Sequence, residues 1–266
     1  MNDRRLSLNV DHNLTTLKTV GMSVVDLRVN PKGKRDRQLV YGEHFHVLET
    51  NQGWSYGFAQ KDGYTGYVLS SQLNEPQAPT HFVTARSSHI YPEPNFKSEE
   101  IMPLSFGARL TVVGEQGEFA ELSSGQFLPQ MHIDPIDHLF DDPIEVADRF
   151  LGVPYLWGGN SIWGLDCSGL VQAALNACGV ECAGDADLQE ASVGEIIGDN
   201  VRCERGDLFF WKGHVALVRD ENTLLHANAH HMLVVNEPLS DAINRINAQG
   251  DGEVTSRRRP AYANLK

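Results

Sequence analysis

Leu165-Asp166-Cys167-Ser168-Gly169-Leu170 sets a cysteine among small and polar residues at the point where a helical pattern begins. Leu170, Val171, Ala174, Leu175 and Ala177 recur at helical spacing, and Gly179 supplies a stop just after Cys178. The pattern predicts a helix with Cys167 in its first turn and Asp166 as its N-cap. Unpaired backbone N–H groups and the positive end of the helix dipole favour a thiolate at that place, so the sequence predicts a lowered thiol pKa and a nucleophile. Cys178, Cys182 and Cys203 lack the paired short spacings of a structural zinc site and read as small buried hydrophobes.

A thiol nucleophile needs a base that moves protons. Gly206-Asp207-Leu208-Phe209-Phe210-Trp211 reads as one strand, Lys212-Gly213 as a turn, and His214-Val215-Ala216-Leu217-Val218 as a second strand that His214 opens. After a turn at Asp220-Glu221-Asn222, Thr223-Leu224-Leu225-His226-Ala227 starts a third. A helix carrying Cys167, packed on a sheet carrying His214 and His226, would join a nucleophile, a base and a group that orients the base. His230 and His231 are left as surface or rim residues. Tyr155 offers a phenol that could stabilise an oxyanion beside the Cys167 backbone N–H, whereas Trp157 and Trp163 read as ordinary packed aromatics.

The chain has 266 residues, 41% of them apolar, which is enough for two or three domains with real cores. A formal net charge of −13 argues against nucleic acid and against an anionic membrane as partner. Arg257-Arg258-Arg259 is too short to reverse that and reads as a solvated tail. The N-terminal residues lack an apolar signal core, and no apolar run is long enough to span a bilayer, so a cytoplasmic location is expected. A reducing compartment would suit a chain that depends on a free thiol.

Residues 1–16 are polar and read as an arm. From 17 to 75 the pattern is short strands, including Ser23–Val29, Gln38–Tyr41, His44–Glu49, Trp54–Ala59 and Gly66–Val68, with hairpins at Asn51-Gln52-Gly53 and Lys61-Asp62-Gly63. This predicts a small barrel. Pro76-Gln77-Ala78-Pro79 links it to residues 76–138, where the scheme repeats: Leu104 to Val113 parallels Leu39 to Leu48, glycine for glycine at Gly107 and Gly42. Residues 139–266 form the last domain, opened by an amphipathic helix through Ile144, Val146, Ala147, Phe150 and Leu151.

Four blocks carry a resemblance. Val153-Pro154-Tyr155-Leu156-Trp157-Gly158-Gly159, Asp166-Cys167-Ser168-Gly169-Leu170, Gly206-Asp207-Leu208 with Gly213-His214-Val215-Ala216, and His226-Ala227 resemble, in order, the NlpC family of bacterial cell-wall cysteine peptidases. The resemblance implies an α+β fold: a papain-like domain with the cysteine helix packed on an antiparallel sheet, preceded by two small all-β bacterial SH3-like barrels. It implies Cys167, His214 and His226 as catalytic residues, Tyr155 at the oxyanion, and Asp166 and Ser168 against the substrate backbone and its free amine. Asp185 and Gln189 keep the spacing of a further recognition segment, although Gly184 and Ala186 stand where the family often has Arg and Ser. The first barrel would lend an acid and an aromatic to hold the peptide ammonium, with Glu43 and Tyr64 as candidates; the plainer reading of Glu43 is a solvated turn residue.

The expected activity is a cysteine endopeptidase of murein recycling, without metal or organic cofactor. It would cut the γ-D-glutamyl bond to meso-diaminopimelate or Lys in free-amine stem peptides such as L-Ala-γ-D-Glu-diamino acid. Two alternatives stay open at this point: tandem barrels on a degenerate hydrolase that merely binds cell-wall peptide, and an amidase or acyltransferase using the same Cys/His apparatus.

Overall fold

The computed structural model describes residues 3–6 and 11–262 and divides into two compact units, Met1–His138 and Leu139–Lys266. The expected arm falls partly on residues 1, 2 and 7–10, and the end of the last domain on 263–266, which lie outside the described residues. Within residues 3–6, Leu6 bridges to Tyr64 and Arg5 accepts the Thr65 N–H at 2.9 Å, so this part of the arm lies along the first barrel.

The first half of the N-terminal unit is one antiparallel sheet of seven strands. Its order is Arg35–Val40, Val24–Arg28, Thr65–Leu69, Trp54–Ala59, His44–Asn51, Thr16–Val20 and Leu73–Asn74. The hairpin at Asn51 turns on Gln52 and Gly53, both at positive φ, which matches the twist of the flanking strands. The second half is more fragmented, with three small sheets built from strands between His81 and Pro135. They enclose Val83, Ile90, Leu104, Ala108, Leu110, Ala120, Leu122 and Leu128, and Tyr41 packs against that core. Gly42 and Gly107, aligned in the sequence parallel, both take positive φ, 78° and 82°. At Gly42 a Cβ would stand 1.9 Å from the Arg109 carbonyl oxygen, so only glycine fits where the two halves meet.

The C-terminal unit sets helices on both faces of a six-stranded antiparallel sheet. The strand order is Glu195–Ile196, Ser256–Arg259, Leu208–Trp211, His214–Asp220, Thr223–Asn228 and Leu233–Pro238. Helix α1 (Pro143–Asp148) stops before Phe150 and Leu151, which continue as turns. Helix α2 (Cys167–Ala177) packs on the His214 and His226 strands, and Gly179 ends it at φ 76° as the pattern predicts. Helices α3 (Ala186–Ser192) and α4 (Leu239–Gln249) follow. Ala242 and Ile246 of α4 close over Phe209, Trp211, Ala216, Val218 and Leu224. Burying a side chain such as Ile246 stabilises by roughly 1.5–3 kcal/mol. With both faces covered, Leu208-Phe209-Phe210-Trp211 is buried at every position, which explains its unbroken apolar run.

The Arg257-Arg258-Arg259 run is not a solvated tail. It forms a strand of this sheet, where Arg257 donates to the carbonyls of Gly198, Asp199 and Val201, and Arg259 pairs with the buried Asp207 at 2.8 Å. Carbonyl and carboxylate partners, invisible in composition, hold the charges. Among the described residues no helix is long and apolar enough to cross a membrane.

Candidate active site

The turn that presents Cys167 is built by Asp166. Its Oδ1 accepts the Gly169 N–H at 2.7 Å and the Ser168 hydroxyl at 3.1 Å, and its Oδ2 accepts the Gly158 N–H at 2.9 Å. The N-cap expected from sequence is therefore present, and the same carboxylate ties the Trp157-Gly158-Gly159 loop to the helix. Gly159 and Gly169 let two backbones come close, since a Cβ on Gly169 would lie 2.5 Å from the Gly159 carbonyl oxygen. Behind the helix, Gln189 is fully buried and donates from Nε2 to the Ser168 carbonyl at 2.9 Å and the Ala183 carbonyl at 3.0 Å.

Cys167 is 7% exposed, and the backbone N–H of Val215, the residue next to His214, favours its thiolate form. Here the structure corrects the sequence reading. Burial, and then the nearby Asp166 carboxylate, push the thiol up to about 12, outweighing the N–H groups of Val215, Ser168 and Cys167 itself. The helix terminus alone would lower the pKa, but a sulfur removed from water beside a carboxylate stays a thiol. Burial together with His226 and Arg245 drives the His214 imidazole down to about 3, against a smaller opposing effect of Glu237. The resting pair is therefore a neutral thiol and a neutral imidazole.

His214, Ala216, His226 and Glu237 share one face of the sheet, as the register of Leu217 with Leu225 and of Leu224 with Glu237 requires. His214 Nε2 lies 2.9 Å from His226 Nδ1, and His226 Nε2 lies 2.9 Å from Glu237 Oε2. Arg245, reaching from α4, donates to both Glu237 oxygens, from Nε at 2.8 Å and from Nη2 at 2.7 Å. Burial alone would raise Glu237, but the hydrogen bonds from Arg245 and His226 hold it well below the usual carboxylate range. His226 is 1% exposed and burial keeps it neutral despite Glu237. Sequence reasoning missed Glu237 and Arg245; the only signal was a carboxylate on the strand after His226 followed by an arginine two helical turns on.

Tyr155 is half-buried. Its backbone is fixed by an N–H bond to the Met232 carbonyl at 2.8 Å and a bridge to Leu165. Burial, then the closeness of Cys167 and Asp166, raise its phenol well above the ordinary value, so it remains an O–H donor at any working pH. Cys167, Tyr155, Asp166, Ser168, His214 and His226 thus belong to one locality of the C-terminal unit. Asp185 stands at the N-cap position of α3, and its carbonyl accepts the Gln189 N–H at 2.8 Å. His230 and His231 are exposed, with His231 held by Asn228. Trp157 is not a packed aromatic: it is 70% exposed, and Trp163 is exposed as well. Cys178 and Cys182 are buried as read, whereas Cys203 is half-buried and accepts a hydrogen bond from Arg257 at 2.9 Å.

Glu43 and Tyr64 lie in the N-terminal unit. Glu43 is buried there and not a solvated turn residue, for its oxygens accept the Lys61 ammonium at 2.7 Å and the Val40 N–H at 3.1 Å. Tyr64 is buried too, with the Arg37 guanidinium 5.6 Å from its ring centre.

Comparison with known proteins places this geometry. Residues 152–246 match the NlpC/P60 family, and residues 27–73 match the bacterial dipeptidyl-peptidase SH3 domain. Dipeptidyl-peptidase 6 of Lysinibacillus sphaericus is 26% identical over 219 residues, which span 72% of this chain and 79% of that protein. A gamma-D-glutamyl-L-lysine dipeptidyl-peptidase of Bacillus cereus is 25% identical over 245 residues, spanning 85% of this chain and 70% of that one. The fold matches a solved NlpC/P60 family protein from Bacillus cereus with a TM-score of 0.77 at 20% identity, over 92% of this chain and 99% of that chain. The C-terminal unit is an NlpC/P60 domain preceded by an all-β, bacterial SH3-type region. The chain is a homologue of the gamma-D-glutamyl-L-lysine dipeptidyl-peptidases, which supports a peptidase function.

Proposed function

We propose that the protein is a cysteine endopeptidase that cleaves the γ-D-glutamyl–diamino acid bond of free-amine murein stem peptides, L-Ala-γ-D-Glu followed by meso-diaminopimelate or Lys. The observation that carries the reading is the chain of hydrogen bonds from His214 through His226 to Glu237, 2.9 Å at each step, on strands against which the helix bearing Cys167 packs. The names of the homologues support the choice of bond.

Because both groups rest neutral, the proton moves as the sulfur attacks. The Cys167 sulfur bonds to the γ-carbonyl carbon while His214 takes the thiol proton. The Cys167 N–H and the Tyr155 hydroxyl stabilise the oxyanion. His214, now an imidazolium, gives its proton to the departing α-amine of the diamino acid, leaving a γ-glutamyl thioester on Cys167. His214 then takes a proton from water as the hydroxyl attacks the thioester carbonyl, and returns it to the departing Cys167 sulfur, which restores the thiol and neutral imidazole and releases L-Ala-D-Glu. Asp166, Ser168 and Asp185 are proposed to line the substrate. Glu43 and Tyr64 are proposed to recognise its free ammonium.

The test is mass spectrometry of L-Ala-γ-D-Glu-meso-diaminopimelate after incubation with the wild type and with Cys167→Ala, beside an N-acetylated copy of the peptide. The reading predicts release of diaminopimelate by the wild type alone, and from the free-amine peptide alone. Intact peptide with wild-type protein would contradict the substrate, and equal release by Cys167→Ala would contradict the nucleophile.

A further inference from the structure

We propose that Glu237, clamped by Arg245, is a positioning residue that sets the proton pattern of the His214–His226 pair, leaving Nδ1 of His214 as the atom that receives the Cys167 proton. The inference deepens the reading of Cys167 and His214 as nucleophile and base, and rests on it.

A line of hydrogen bonds runs inward from Arg245 through Glu237 and His226 to His214. A guanidinium can only donate, so both Glu237 oxygens act as acceptors towards it, and an ionised carboxylate has no proton to return. Glu237 Oε2 therefore also accepts from His226, which fixes the His226 proton on Nε2. Neutral His226 then carries a bare lone pair on Nδ1. Facing that lone pair at 2.9 Å, among the described residues, is His214 Nε2, so His214 must hold its proton there and donate it. One nitrogen of His214 is left without a proton, Nδ1, and a base needs such an atom.

The relay is built to hold this pattern. His226 is faced by His214 from one neighbouring strand and Glu237 from the other, by His231 from the loop after Asn228, and by Arg245 from α4, beyond which stands Asp251. Among these only Glu237 touches His226 Nε2. A neutral amide at 237 could donate to that nitrogen as well as accept from it. Donation would move the His226 proton to Nδ1, and the His214 proton from Nε2 to Nδ1, so His214 would present N–H to the sulfur and no base.

The test reads the imidazole nitrogens by NMR of the ¹⁵N-labelled full chain, together with kcat and KM on L-Ala-γ-D-Glu-meso-diaminopimelate. In the wild type, His214 and His226 should both be protonated at Nε2 and bare at Nδ1. In Glu237→Gln the pattern should shift towards Nδ1–H, with kcat lower by on the order of 10²-fold or more and KM within about twofold, as when the carboxylate orienting a catalytic histidine becomes an amide. Glu237→Asp, which keeps the charge, should retain the wild-type proton pattern and most of the rate. His214 protonated at Nδ1 in the wild type would overturn the inference, a result that does not depend on any variant folding. So would a folded Glu237→Gln with wild-type kcat. Cys167→Ala and His214→Ala, run on the same peptide, separate the two readings: full activity in them refutes the catalytic pair, while the wild-type spectrum still judges the relay.

Discussion

Gln189 holds the Ser168 carbonyl at 2.9 Å from a fully buried position, so the first turn of the cysteine helix is braced from behind by a side chain of α3. Gln189→Leu would strand two carbonyls, Ser168 and Ala183, and also remove a buried Oε1 that has no hydrogen-bond partner among the described residues. The net loss of stability should be about 1–2 kcal/mol, read by urea unfolding, because stranded acceptors cost more than an unpaired one returns. A variant as stable as the wild type would show that the brace does not matter.

Gly169→Ala tests the close approach of the first turn of α2 to the loop at Gly159. The added carbon would stand 2.5 Å from the Gly159 carbonyl oxygen, a backbone atom that cannot swing aside. The turn carrying Cys167 must shift, so kcat/KM should drop at least tenfold, with about 1–3 kcal/mol of stability lost. Wild-type kinetics in Gly169→Ala would mean that the turn has slack.

Asp166→Asn should raise thiol reactivity while weakening the fold. The carboxylate is, after burial, the main cause of the high thiol pKa, so its neutralisation lowers that pKa from about 12. Asparagine can still cap Gly169 through its oxygen, but its amide would face the Gly158 N–H, donor against donor. Iodoacetamide labelling of Cys167 between pH 8 and 10 should be faster than in the wild type; an unchanged pH profile would remove Asp166 as the cause.

Acid should destabilise the C-terminal unit in a defined window. His214 and His226 have folded pKa values below their ordinary value of 6.5, so the unfolded chain binds more protons below that pH. Their contribution is complete above about pH 6.5 and lost as the pH falls, at about 1 kcal/mol for each fully buried histidine by pH 5.5. Glu237, depressed as a carboxylate, adds to the loss with the same sign below about pH 4.5. The melting temperature should therefore fall between pH 7 and 5, and fall less in His226→Gln. A flat profile would contradict the neutral assignment of the pair.

Glu43→Gln tests the proposed amine requirement. It leaves Lys61 with a neutral partner and should cost about 1–3 kcal/mol of stability. Beyond that, kcat/KM for the free-amine peptide should fall at least tenfold; unchanged turnover in the folded variant would remove Glu43 from recognition.

The parts that were legible in the sequence are those set by local rules. Asp166, the helix after it and Gly179 are matters of capping and periodicity, and His214 and His226 open and continue strands whose turns carry glycine or Asp-Glu-Asn. What escaped depends on distant partners. The cysteine's pKa turns on how much water α2 and the sheet exclude. Arg257 looked solvated because carbonyls of residues 198 to 201 do not show in composition. Glu237 gains meaning only when strand register places it across from Leu224, beside His226, and α4 brings Arg245 to it. The exposure of Trp157 likewise follows from the loop that Asp166 pins at Gly158, not from its apolar neighbours.

In the proposed reaction Cys167 forms a thioester with the γ-carboxyl of D-glutamate. Acid-quenched mass spectrometry of the full chain, mixed with excess L-Ala-γ-D-Glu-meso-diaminopimelate and followed by peptide mapping, tests it most directly. A transient L-Ala-γ-D-Glu adduct is expected on the peptide containing Cys167, absent from Cys167→Ala, which should release no diaminopimelate. Release of diaminopimelate by Cys167→Ala at the wild-type rate, with no adduct on Cys167 in the wild type at any quench time, would contradict it.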